Sequence, residues 1–204
     1  MRSLQILSRV ALGFVCTASM LPSCTNYYED YYLPLTETGT TGTGGTGGTT
    51  TTDPDCIPNQ TGGAIGDACG VFVSPSGKDT NPGTSTAKPV ATLKHAIELA
   101  KGGRVYACAD PAKAFVEAVE VTGDTVVFGG LDCGTWKYAA GTKTKWTAGA
   151  DELPLRLADG ASVTLADMLI EAADAEKDGG SSIAILAQAG ASVDLSRCDV
   201  VAGN

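Results

Sequence analysis

From residue 104 onward, apolar and polar residues alternate with a period of two, in short pieces separated by Gly and Asp. The pieces are RVYACA (104–109), AVEVTG (118–123), TVVFGG (125–130), TKWTA (144–148), LPLRLADG (153–160), ASVTLADMLIEA (161–172), SSIAILAQ (181–188) and ASVDLSRCDVVA (191–202). Their length and their β-branched content predict short strands. Only one stretch has helical spacing. In VATLKHAIELAKGG (90–103), Leu93, Ala96, Ile97 and Ala100 share one face. Thr92 or Pro89 opens that helix and Gly102 or Gly103 supplies its left-handed stop. Ahead of it, Val71 to Ser74 reads as an entry strand, and SPSGKDTNPGTSTAKP (74–89) has the residue chemistry of turns.

The strand-rich part repeats itself. GASVTLADMLIEA (160–172) returns thirty residues later as GASVDLSRCDVVA (190–202), so Gly160 falls on Gly190, Val163 on Val193, Leu165 on Leu195, Met168 on Cys198, Ile170 on Val200 and Ala172 on Ala202. The apolar positions match and the polar ones drift. A repeat that keeps only its inward set is what a stack of strands requires, each level laying its side chains over those of the level before. The expected architecture is all-β, a parallel β-helix of roughly thirty residues a turn. An antiparallel β-sandwich with accidental similarity is the alternative. Such a stack needs a polar cap, and VAGN (201–204) reads as the start of a turn. The expectation is therefore an N-terminal part of a longer protein or a truncated product, with Cys198 parted from a partner downstream.

The N-terminus is organised differently. Residues 1–23 place Arg2 and Arg9 ahead of an apolar run from Val10 to Leu21, too short to span a bilayer and flanked like a secretory signal peptide. The run ends in Leu21-Pro22-Ser23-Cys24, which resembles the bacterial lipobox, although proline at its second position departs from the pattern. The resemblance implies cleavage before Cys24, acylation of Cys24 and attachment to a membrane through that lipid. Thr25, where Asp would imply inner-membrane retention, implies the outer membrane or cell surface. Residues 24–55 include YYEDYY (27–32) and TETGTTGTGGTGGTTTT (36–52), too poor in apolar side chains to pack. They read as a flexible tether, about 25 Å end to end for roughly twenty Gly-rich residues. The threonines are also open to O-glycosylation, and the tyrosines suit a membrane interface.

The block VFVSPSGKDTNPGTSTAKPVATLKHAIELAKGGRVYACA (71–109) resembles the N-terminal entry of bacterial pectate-lyase-like right-handed β-helix proteins, in which a VSPxGxDxxPGT pattern leads through a capping helix into the first coil. FGGLDCGTWKY (128–138) and the repeated pair are similar to surface lipoproteins abundant in myxobacteria. The resemblance covers nearly all of residues 56–204 and divides them into a disulfide loop, entry strand and capping helix (56–103) and right-handed coils (104–204). It implies a fold and a location more than an activity, because this fold carries lyases, hydrolases and adhesins alike.

Charge and cysteine usage narrow the partners. The chain carries a net charge of −9, and without Arg2 and Arg9 twelve basic residues face twenty-three acidic ones. With no basic stripe, nucleic acid is excluded as a partner class. Beyond Cys16 and Cys24 there are five cysteines, none in a CxxC pair, and the single histidine does not complete a zinc set with them. The expectation is no metal and no cofactor. Disulfides fit an oxidising envelope. Cys56 pairs with Cys69 across turn-rich IPNQTGGAIGDA, and Cys108 with Cys133.

Candidate chemistry is sparse. The offset of thirty sets Asp167 over Arg197, with Asp194 and Asp199 nearby on the outer side. Asp167 and Arg197 can touch at the 4.8 Å spacing of adjacent strands, as a surface ion pair or as a catalytic acid and base. Asp79 and Asn81 in the GKDTNPG loop offer calcium oxygens or Asx turns. His95 lies on the helix without a nucleophile motif. Trp136 and Trp146 are candidate glycan contacts, or plugs packed on the strands. The expected function is a lipid-anchored envelope or surface protein with a structural, adhesive or glycan-binding role, meeting a polysaccharide or a surface protein. The alternative is part of a polysaccharide lyase or hydrolase whose catalytic turns lie beyond residue 204.

Overall fold

The structure, a computed structural model, describes residues 54–204. Cys24, the leader and nearly all of the Thr/Gly-rich stretch lie outside the described residues. The period-two alternation forms strands throughout, twelve of them, in three sheets. One sheet holds β1 (Val71–Val73), β2 (Arg104–Ala109), β5 (Asp124–Asp132), β8 (Ser162–Ala166) and β11 (Ser192–Ser196), in that spatial order. A second holds β4 (Val119–Val121), β7 (Leu155–Leu157) and β10 (Ile185–Ala187), and the third β3 (Phe115–Val116), β6 (Thr144–Thr147), β9 (Met168–Glu171) and β12 (Asp199–Val201). Every pairing between these strands is parallel. The described chain is thus an all-β fold of parallel sheets with α1 (Pro58–Thr61) and α2 (Leu93–Ala100) as its α-helices.

The thirty-residue offset is the register of the last pairing in all three sheets. Val193 lies beside Val163 and Leu195 beside Leu165, Val200 beside Ile170, and Ile185 beside Leu155. The apolar residues that match in sequence therefore form rows across strands. Val127, Val163 and Leu165 from the first sheet, Val121, Leu155 and Leu157 from the second, and Trp146, Met168 and Ile170 from the third meet in one core. Burial of aliphatic surface at about 25 cal/mol per Å² is what holds these rows together. In β11 and β12 the same rows are more open, with Leu195 42 % and Val200 45 % exposed.

Helix α2 covers the opposite side, burying Leu93 and Ala96 against the core and packing on β1, β2 and β4. Thr92 caps it, its hydroxyl accepting the N–H of His95 at 3.2 Å. The left-handed stop begins one residue earlier than glycine chemistry predicts, at Lys101 (φ 47°), with Gly102 (φ 86°) after it. Two further departures concern the strands. Each of the long pieces 161–172 and 191–202 is broken into two strands by a single left-handed residue, Asp167 (φ 55°) and Arg197 (φ 54°). The two-residue strand β3 has too little alternation to be read from sequence.

A second apolar cluster lies on the outer face of the first sheet. Phe72, Tyr106 and Phe128 occupy neighbouring strands with ring centroids 5.4 and 5.5 Å apart, and Trp136 meets Phe72 edge-on at 5.1 Å. Such offset and edge contacts add to the area term. The segments covering this row are held by both expected disulfides, Cys56–Cys69 and Cys108–Cys133, with Cα–Cα distances of 5.3 and 4.9 Å. The Tyr106 hydroxyl donates to the Cys56 carbonyl at 2.7 Å, tying the first disulfide loop to the sheet.

Candidate functional site

Among the described residues, one group of charged side chains is built on the corner between β8 and β9. The left-handed turn at Asp167 aims its carboxylate along the stack, where it is nearly sealed from solvent. Arg197, at the same corner one repeat later, donates Nε to Oδ1 and Nη2 to Oδ2, each at 2.8 Å. Tyr138 donates its hydroxyl to Oδ1 at 3.0 Å, and Arg197 Nη1 goes to Ser196 Oγ at 3.0 Å. A two-point pairing of this kind fixes orientation as well as charge. It holds the guanidinium above its ordinary range, while burial and then Asp167 push the Tyr138 phenol up. Both carboxylate oxygens are occupied and the cation is locked in its charged form. The corner is a clasp between repeats rather than a base waiting for a proton.

Its close approach depends on the preceding pair of glycines. A Cβ at Gly129 would fall 2.4 Å from the Asp167 carbonyl oxygen, and one at Gly130 would fall 2.9 Å from the Asp167 Cβ. Buried Thr144 completes the joint: its hydroxyl accepts the Gly130 N–H at 3.0 Å and donates to the Ala107 carbonyl at 2.9 Å. On the outer side, Lys143 pairs with Asp199 at 2.5 Å and Lys145 with Glu171 at 2.6 Å, so opposite charges also run across the third sheet.

A second group surrounds the start of α2. Asp79 Oδ1 accepts the N–H of Ala91 at 2.8 Å and of Thr92 at 3.0 Å, and its Oδ2 accepts the Thr92 hydroxyl at 3.0 Å. Glu117, from the β3–β4 link, accepts the next two, Leu93 N–H at 2.7 Å and Lys94 N–H at 3.0 Å. For Asp79 the little burial it has acts upward, but its hydrogen bonds outweigh that and hold the carboxyl below its usual range. For Glu117 burial dominates and raises it against the same kind of bonds, with the Asp79 charge adding. The Glu117 carbonyl in turn accepts Trp146 Nε1–H at 3.0 Å.

No family model, curated protein or solved structure matches the chain.

The structure separates the remaining candidates. Trp146 is fully enclosed in the core and Trp136 is 5 % exposed under the second cluster, so neither offers a ring face to a sugar. This corrects the expectation of glycan contact at Trp136 and Trp146: each occupies an apolar seat that the strands leave open. In the GKDTNPG loop, Asp79 caps α2 and Asn81 Nδ2 donates to the Pro89 carbonyl at 2.8 Å, so both side chains serve their own loop and helix. His95 stands half-exposed beside Glu98, 3.8 Å away. Cys198, the free thiol among the described residues, faces inward beside the core, and its Sγ lies 3.3 Å from the Leu165 carbonyl. Burial pushes that thiol up, which makes it a packing residue here rather than a reactive one. Lipidation at Cys24 lies outside the described residues. Among the described residues no cluster of three or more His, Cys, Asp and Glu is arranged to hold a metal ion. A shallow cleft of about 590 Å³ runs between α2 and the β4–β5 turn, lined by Lys94, Glu98, Lys101, Glu120 and Asp124 over Ile97.

The corner residues Asp167 and Arg197 were legible through the offset of thirty. Glu117 was missed because its partners are backbone N–H groups twenty-three and twenty-four residues away, which leave no motif.

Proposed function

We propose that this chain is a lipid-anchored protein of the outer membrane or cell surface, in which a right-handed parallel β-helix stands on a Thr/Gly-rich tether and serves a structural or adhesive role. The observation that carries the reading is the register. The last strands of all three sheets pair thirty residues apart and the earlier ones pair in parallel at varying offsets, an arrangement in keeping with growth by repetition. Growth of this kind gives a stiff body with long outer faces, suited to presentation or contact. Two disulfides are in keeping with an oxidising compartment. The Leu21-Pro22-Ser23-Cys24 motif and the tether supply attachment and reach. A glycan ligand would be met by the polar cleft beside α2, because both tryptophans are turned inward.

The test compares cells carrying the natural chain with cells carrying Cys24→Ala. The natural chain should stay with the membrane fraction through an alkaline wash and be trimmed by protease added to intact cells, whereas the variant should be released. Retention of the variant after the wash overturns the anchor, and resistance to external protease overturns the surface location. Unchanged attachment of cells that lack the protein would overturn the adhesive role.

A further inference from the structure

The described body is joined to the N-terminal part of the chain through Pro54–Cys56, a single 3-10 turn. Cys56 is bonded there to Cys69, two residues ahead of β1. Both cysteines are buried. Tyr106 of β2 donates its hydroxyl to the Cys56 carbonyl at 2.7 Å, and its ring, fully enclosed, stacks on Phe72 of β1. Val71 and Val73 in turn pair with Val105 and Ala107. Cys56 is thus held twice by one pair of strands, through a covalent bond to the residue leading into β1 and through a hydrogen bond to β2. Residues 57–68, between the two cysteines, are fastened elsewhere. Ile65 N–H reaches the Trp136 carbonyl at 3.1 Å, Ala64 bridges to Lys137, and Asp67 accepts the Thr86 N–H at 2.9 Å. A pull arriving from the N-terminal side therefore meets a fork at Cys56. One branch is the backbone of 57–68, thirteen residue steps to Cys69, and the other is the disulfide, across which the Cα atoms are 5.3 Å apart. Tension follows the short branch, because a slack branch carries none until the taut one has lengthened.

We propose that the Cys56–Cys69 bridge is a load-bearing clamp, which passes tension from the N-terminal side into β1 and β2 and keeps residues 57–68 out of its path. Only the source of the load rests on the anchored reading given above. With the bridge closed, Ile65 keeps its seat in the outer cluster with Phe72, Tyr106 and Trp136 while the body is pulled. With the bridge absent, thirteen steps of about 3.4 Å each run out before β1 feels the load, a net lengthening of about 40 Å. Ile65 then leaves that cluster, and one side of the aromatic row is uncovered. The clamp makes the body yield as paired strands rather than peel from its N-terminal loop.

The experiment is single-molecule force extension of the detergent-solubilised full chain, held through peptide tags placed after Thr25 and after Asn204. The load does not pass through a lipid, so failure of the clamp and failure of the anchor are read separately. In the natural chain no such lengthening step should precede rupture of the sheets. The double variant Cys56→Ser, Cys69→Ser should gain the step, at a force below that rupture. A third chain carries a protease site inserted after Gly62, which is exposed and has open space around it. Cut there, it should still hold and should rupture at the parent force, since the bridge spans the cut. The step appearing in the natural chain, its absence from the folded double variant, or a rupture force that falls after cutting overturns the clamp. Should the double variant fail to fold, the cut chain decides alone.

Discussion

Leu165 and Leu195 hold the same place in the repeat and lie side by side in register, yet Leu165 is fully buried and Leu195 is 42 % exposed. Truncating each to alanine separates the worth of a position in the repeat from the worth of its surroundings. Leu165 lies between Val127 and Leu195 in one row, with strands on both sides that limit collapse around a cavity. Leu165→Ala should therefore cost about 3–4 kcal/mol, loss of transfer energy plus a residual cavity. Leu195→Ala removes a side chain that has buried little more than half its surface and leaves a hollow open to water. Its cost should be about 1 kcal/mol, the area component alone. The assay is urea unfolding followed by fluorescence, with Trp146 reporting on the core. The comparison is valid while both variants keep the parent dependence on denaturant. A stack of repeats can lose cooperativity from one edge, so far-UV circular dichroism should be recorded alongside. Equal costs would refute the difference in packing between the two positions, and a larger cost for Leu195→Ala would refute the register itself.

Two further perturbations address the charged groups. Arg197→Ala strands the nearly buried Asp167 carboxylate and should lower stability by about 1–3 kcal/mol in urea titration. A double-mutant cycle with Asp167→Asn should return a coupling of at least about 1 kcal/mol, and a value near zero would reduce the pair to surface decoration. Asp79, whose carboxyl is held below its usual range, contributes stability that is present above the unfolded midpoint and lost as pH falls through the lower folded one. The stability difference between the parent and Asp79→Asn should accordingly be constant from about pH 6 to pH 5 and shrink below about pH 4. A difference that grows on acidification would contradict it.

The parts legible in the sequence were those fixed by neighbours along the chain or by the repeat. Alternation marked β2, β4 and β7, helical spacing marked α2, and the offset of thirty placed Val193 on Val163. A turn-rich loop able to close on itself gave Cys56–Cys69, and Cys108–Cys133 was the second pairing among the remaining cysteines. The failures share a different physics. Asp167 and Arg197 turn the chain with positive φ, a conformation that signals itself when glycine adopts it and hides when a charged residue does, here because their mutual hydrogen bonds repay the strain. Trp136 and Trp146 were offered to solvent because a tryptophan in a polar stretch carries no mark of the cavity it fills. Glu117 acts on backbone N–H groups, which every residue has, so nothing in its neighbourhood announced it.

The register has a consequence for how such a chain can change its length. Paired strands are thirty residues apart where Val163 meets Val193, but thirty-eight where Asp124 meets Ser162 and twenty-four where Thr144 meets Met168. The connecting segments absorb these differences while the strands stay aligned. Insertions and deletions are thus of two kinds. One placed between strands, as within 175–181, leaves the rows of the core untouched. One of a single residue inside β8 or β11 turns the rest of that strand inside out, exchanging its aliphatic face for its polar one. Length along these parallel sheets is therefore fixed strand by strand and is free to change by single residues only in the segments between strands.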